Sequence, residues 1–100
     1  MRITKQNISE FIAGTTMNFS NKGITGIDYI PEGITHLDCS GNQLESLPKL
    51  PKSLVYLNCK DNKLTELPKL PKILECLYCY SNQLISLPKL PDSLVSLDCN

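Results

Sequence analysis

Five cysteines and a single histidine are the residues of this chain best equipped for chemistry. Cys39, Cys59, Cys79 and Cys99 recur every twenty residues, and Cys76 makes the one C-x-x-C spacing with Cys79. A zinc ion needs four ligands converging on one point. A row at a fixed period instead spreads its members along an axis, and Cys76 and Cys79 differ by an odd number of residues, so on a strand they face opposite ways. No metal and no cofactor are expected. Nucleophilic catalysis fares no better. A reactive thiolate needs a nearby cation or base, yet Glu75 and Tyr78 flank Cys76, and His36 lies two periods away. If the periods stack at strand spacing, that is about 9.6 Å, with Tyr56 in between. No serine, histidine and acid set, no carboxylate pair and no glycine-rich phosphate loop is present in the sequence. The chain reads as a non-enzyme.

The period itself is the stronger signal. From Ile30 to Asn100 it runs without insertion or deletion, carrying a leucine column, Leu37, Leu57, Leu77 and Leu97, beside the cysteine column. Such regularity marks a solenoid, in which each repeat buries its apolar residues only by stacking on its neighbours. One full unit reads Leu54-x-x-Leu57-x-Cys59-x-x-Asn62-x-Leu64, followed by Thr65-Glu66-Leu67-Pro68-Lys69-Leu70-Pro71-Lys72-Ile73. Its first part resembles the leucine-rich repeat consensus, with cysteine in the third apolar place. The Leu-Pro-x-Leu-Pro part is similar to the short bacterial-type subclass, known from bacterial effectors and from arrays in environmental bacteria and amoebal giant viruses. The resemblance implies a viral or bacterial protein and a protein-binding role.

Each column has a physical reading. Around Tyr56 to Lys60 the alternation has period two, so Leu57 and Cys59 point inward while Tyr56, Asn58 and Lys60 point outward. Stacking makes a parallel β-sheet on the concave side. The ladder cysteines serve there as small buried hydrophobes, because side chains pointing the same way on adjacent strands sit too far apart to bridge. Buried free thiols favour a reducing compartment, hence the cytoplasm. Asn42, Asn62 and Asn82 follow each strand, where an inward amide can bond the backbone groups that a turn exposes. Prolines at 48, 68, 88 and at 51, 71, 91 force the convex limb into extended or polyproline II geometry and exclude a helix there.

The ends differ from the middle. Met17, Phe19, Ile24, Ile27 and Ile30 keep the phase of the later columns, so a degenerate repeat opens the array over 17–100. Lys22 stands at its ladder position, and Asn21 or Gly23 must manage that turn differently. Residues 1–16 read as an N-terminal cap: a short helix from Asn7, its N-cap, to Gly14, with Ile8, Phe11 and Ile12 on one face. Met1 to Gln6 reads either as a further strand or as a frayed end. At the other end the sequence stops after the strand Leu94 to Cys99. That is either a boundary within a longer array or an open edge, and an open edge templates pairing. In the second case Leu94, Val95, Ser96, Leu97, Asp98 and Cys99 form a self-association strand and the protein is a homodimer.

Two surfaces remain. The outward concave columns are His36, Tyr56, Cys76, Ser96; Asp38, Asn58, Tyr78, Asp98; and Ser40, Lys60, Tyr80, Asn100. Tyr56, Tyr78 and Tyr80 cluster there with His36, Asn58 and Lys60 beside them, a partner-binding patch by composition. Tyrosine is also simply a good strand former. On the convex side Lys49, Lys69 and Lys89 form a column with Lys52 and Lys72 nearby. The formal net charge is zero and Glu45, Glu66 and Asp92 lie close, so the stripe reads as a solvated face and no nucleic-acid partner is expected. No apolar run is long enough for a signal peptide or a membrane span. The expected partner is a protein.

Overall fold

The computed structural model describes residues 1–98 as a flattened solenoid, with extents of 34 × 26 × 17 Å. Its main sheet is built from β2 (Ile12–Ala13), β3 (Thr16–Asn18), β5 (His36–Asp38), β6 (Tyr56–Asn58), β7 (Cys76–Tyr78) and β8 (Ser96–Asp98), in that spatial order. From β3 onward every pairing is parallel and shifts by the repeat length, so His36 faces Tyr56, Tyr56 faces Cys76 and Cys76 faces Ser96. Three-residue strands are short because the turn follows at once. Cross-coil bonds nonetheless extend past them: Cys39 N–H donates to Asn58 O at 2.9 Å and Cys59 N–H to Tyr78 O at 2.8 Å.

The inward columns are buried as their pattern requires. Leu37, Leu57 and Leu77 are wholly enclosed with Cys39 and Cys59, and Met17, Phe19, Ile24, Ile27 and Ile30 of the degenerate coil join the same core. The convex limb contains no helix; its prolines hold it extended.

Four successive coils turn on a left-handed residue in one column. Asn21, Asp61 and Ser81 have φ of 54°, 55° and 57°, and Gly41, in the same column, has 69°. The asparagine next along then sews the coil to its predecessor. Asn62 Oδ1 accepts from Leu44 N–H at 3.0 Å, while its Nδ2 donates to Cys39 O at 3.0 Å and to Cys59 O at 3.1 Å. Asn42 and Asn82 repeat the arrangement. In the first coil Lys22 offers no such amide. Asn21 and Gly23 both take left-handed geometry there, and Asn42 reaches back to accept from Lys22 N–H and Ile24 N–H at 3.1 and 2.9 Å.

The N-terminal cap is not the expected helix. Only Ile8–Phe11 coils, as a 3-10 turn, and Ile12–Ala13 instead forms β2, antiparallel to β3, reversing through Gly14 at φ 63°. A helix of this length is marginal on its own, whereas pairing with β3 satisfies a row of backbone groups. Asn7 is no side-chain cap either: its Oδ1 accepts from Thr4 N–H at 2.8 Å and its Nδ2 donates to Arg2 O at 3.1 Å. The apolar residues still close the core, with Ile8 buried and Phe11 edge-on to Phe19 at 6.2 Å. Arg2–Ile3 is a strand, β1, paired in parallel with β4 (Gly26–Ile27) in a second, two-stranded sheet.

The last described coil is the reverse case. Leu87, Leu90 and Leu97 are 40%, 37% and 44% exposed, although their counterparts Leu67, Leu70 and Leu77 are buried.

Candidate functional site

Strand pairing brings the aromatic residues of three coils together on the concave sheet. His36 stacks on Tyr56 with ring centres 5.7 Å apart, and Tyr56 meets Tyr78 edge-on at 5.8 Å. Lys60 Nζ lies over the Tyr80 ring, 5.5 Å from its centre. Contact with Tyr80, a hydrogen bond first and charge second, raises the Lys60 pKa. Thr35 Oγ1 sits 2.9 Å from His36 Nδ1 and orients the imidazole. The tyrosines are half-buried and His36 is exposed, so the strip presents ring faces and polar tips together.

Asn58 does not belong to that accessible set. It is only 9% exposed, and its Oδ1 accepts from Lys60 N–H at 3.2 Å. Asp38 does the same work one coil earlier, accepting from Ser40 N–H at 3.1 Å and from the Ser40 hydroxyl at 2.7 Å. Ser40 is itself buried. Outward pointing along a strand therefore did not mean availability, because a short polar side chain at this column folds back onto the turn two residues on. The sequence cue was the Asn or Asp at 18, 38 and 58, replaced in the next coil by Tyr78, the last ring of the strip.

The cysteines divide. Cys39 and Cys59 are free and buried. Burial pushes the Cys59 thiol up to about 12. It also raises Cys39, with the neighbouring Cys59 and Asp38 adding to the effect. Cys79 is disulfide-bonded, which corrects the expectation that every ladder cysteine is a free packing group. The reducing-compartment argument therefore no longer extends to the whole ladder. Cys99, in the proposed self-association strand, lies outside the described residues. Cys76 is a free, half-buried thiol with Tyr56 between it and His36, as expected. Among the described residues no group of three or more His, Cys, Asp or Glu is placed to hold a metal ion.

The convex lysines are all exposed. Among the described residues the one ion pair is Arg2 with Asp28, so Glu45, Glu66 and Asp92 offset the stripe only at a distance. Lys69, Lys72 and Lys89 line an open groove of about 750 Å³ with Leu70, Leu90 and Asp92. No helix among the described residues is long and apolar enough to cross a membrane.

Comparison with known proteins agrees with this architecture. The Leucine Rich Repeat family matches residues 33–54. Among solved structures, YopM from Yersinia enterocolitica WA-314 is 39% identical over 77% of this chain, with a TM-score of 0.72. A Shigella effector LRR domain is 40% identical over 90%, with a TM-score of 0.79. The chain spans only 19% and 40% of the lengths of those two proteins. Curated protein sequences yield no match. Repeat, sheet and likenesses converge: the chain is a leucine-rich repeat protein whose coils are similar to those of bacterial effectors.

Proposed function

We propose that the chain is a non-catalytic protein-binding module that engages its partner through the concave face, at His36, Tyr56, Lys60, Tyr78 and Tyr80. The observation that carries this reading is the continuous strip of rings across three coils, His36 on Tyr56 and Tyr56 against Tyr78. Rigid rings with polar tips give large contact area at low entropic cost, which is why they concentrate in binding hot spots. Solenoids of this class generally present such a face to proteins. The likeness to effector repeats supports an interaction role; the cytoplasm of the producing or a host cell, as its location, is part of the proposal alone. The test is affinity capture with the triple variant Tyr56→Ser, Tyr78→Ser, Tyr80→Ser beside a convex control, Lys49→Ser, Lys69→Ser, Lys89→Ser. Loss of the captured protein in the first alone supports the concave face; loss in the control alone moves the site to the other side.

A second reading is favoured by the exposed leucines of the last described coil. Leu87, Leu90 and Leu97, with Val95 80% exposed, form an apolar end on which a second copy could pack. Val95 and Ser96 N–H groups already donate to Glu75 O, so proline there would break the chain's own sheet. Leu97→Lys is the cleaner probe. Light scattering in reductant should give twice 11.2 kDa for the parent and one mass for the variant. A monomer at every concentration sinks this reading.

A further inference from the structure

We infer that the convex groove between the limbs at residues 69–72 and 88–92 takes an extended acidic peptide segment carrying an apolar side chain, independently of the concave face. The groove, of about 750 Å³, is lined by Lys69, Lys72 and Lys89 together with Leu70 and Leu90, and Asp92 is the one carboxylate among the described residues that line it. All three lysines are exposed. None of them forms an ion pair among the described residues, since the one pair there joins Arg2 to Asp28. Three cations beside one carboxylate leave the groove positive, in a chain whose formal net charge is zero.

The charge continues along the solenoid axis. Lys49 holds the column of Lys69 and Lys89 one coil earlier, and Lys52 the column of Lys72. In the first coil the leading column is Tyr29, and Lys5 Nζ lies over its ring at 5.4 Å, so a cation stands there too. Carboxylates occur in this pair of columns only at the two ends, Glu32 at one and Asp92 at the other. A basic middle several coils long suits a chain of negative charges rather than a single anion. Each of the five lysines in these columns follows a proline, which fixes the backbone carrying it before any ligand arrives. Binding then orders side chains alone.

The floor of the groove narrows the choice. Leu90 is 37% exposed, while Leu70, its counterpart one coil earlier, is buried. Apolar surface in the same groove as the lysines asks for an apolar side chain among the ligand's carboxylates. A bilayer plane does not enter a recess, and no ring lines this one for a base to stack on. A peptide meets both the charge and the shape.

The experiment is fluorescence anisotropy on the full chain at about 50 mM salt, with three labelled peptides of about eight residues, about 27 Å when extended. The first is glutamate throughout with one central leucine. The second has glutamine for glutamate, and the third keeps the glutamates but has serine for leucine. The first should bind with Kd of about 50 μM, the second at least about tenfold more weakly and the third about threefold more weakly. Lys69→Gln with Lys89→Gln should weaken the first about tenfold, and Asp92→Asn should tighten it about threefold, a gain that misfolding does not produce. The triple tyrosine variant should leave it unchanged. Equal binding of the glutamine or the serine peptide, indifference to the lysine pair or to Asp92→Asn, or no binding up to about 1 mM overturns the inference. Loss of the peptide in the triple tyrosine variant moves it to the concave face and overturns the inference as well. So does tighter binding of phosphatidylserine vesicles or of an oligothymidine strand that the same lysine pair abolishes, which gives the groove to a membrane or to nucleic acid.

Discussion

Leu57 and Leu97 occupy the same column of the same repeat, yet the first is fully buried and the second is 44% exposed. The first described coil pairs off in the opposite way: Met17 and Phe19 are wholly buried because β2, Ile8 and Phe11 cover them. Burial in this molecule is therefore a property of having neighbours on both sides, not of the residue. A coil is stable to the extent that the coils flanking it are formed.

The largest test of that contrast is Leu57→Ala against Leu97→Ala. The first should cost about 3–4 kcal/mol through lost contacts and a cavity, the second about 1 kcal/mol or less, both read by urea unfolding. Next comes Asn62→Ala. It leaves the buried Leu44 N–H without a partner and takes one of two donors from the Cys39 and Cys59 carbonyls, which keep Asn42 and Asn82, and should cost about 2 kcal/mol. Asn82→Ala, at a half-buried amide, should cost roughly half as much. The third is alkaline destabilisation. A thiol held protonated in the fold keeps its contribution below its unfolded pKa of about 8.5 and loses it as pH rises towards the folded value. For Cys59, pushed up to about 12, stability should fall by about 1.4 kcal/mol per pH unit above about 9. Cys59→Ala should remove that share, measured by unfolding midpoint against pH. The smallest is a gain: Ser81→Gly should stabilise by about 0.5–1 kcal/mol, since serine resists the left-handed φ of 57° that Gly41 accepts freely. The same change at Ser86, outside the turn column, should give nothing.

The middle of the array was legible because its information is repeated. Any one of Leu37, Leu57 and Leu77 fixes the others, and the register followed from counting. The aromatic strip was legible for the same reason, since columns become contacts once strands stack. What escaped was decided by single encounters. Ile12 and Ala13 have a local helical reading, but the open side of β3 offered them hydrogen bonds that a short helix could not match. Asn58 looked outward by parity and then turned its amide oxygen to Lys60 N–H, a choice that no alternation pattern encodes. Cys79 differs from Cys39 and Cys59 only in its bonding, which identical columns could not announce.

The asparagine amides point one way along the chain. Asn42 completes the turn at Ile24, Asn62 that at Leu44, and Asn82 that at Leu64, so each coil is finished by a residue supplied eighteen positions later. During synthesis on a ribosome the array must close from its N-terminus in steps, each turn staying unlatched until the following one has emerged. The most recently made coil is always the provisional one, which gives the growing protein a direction of travel.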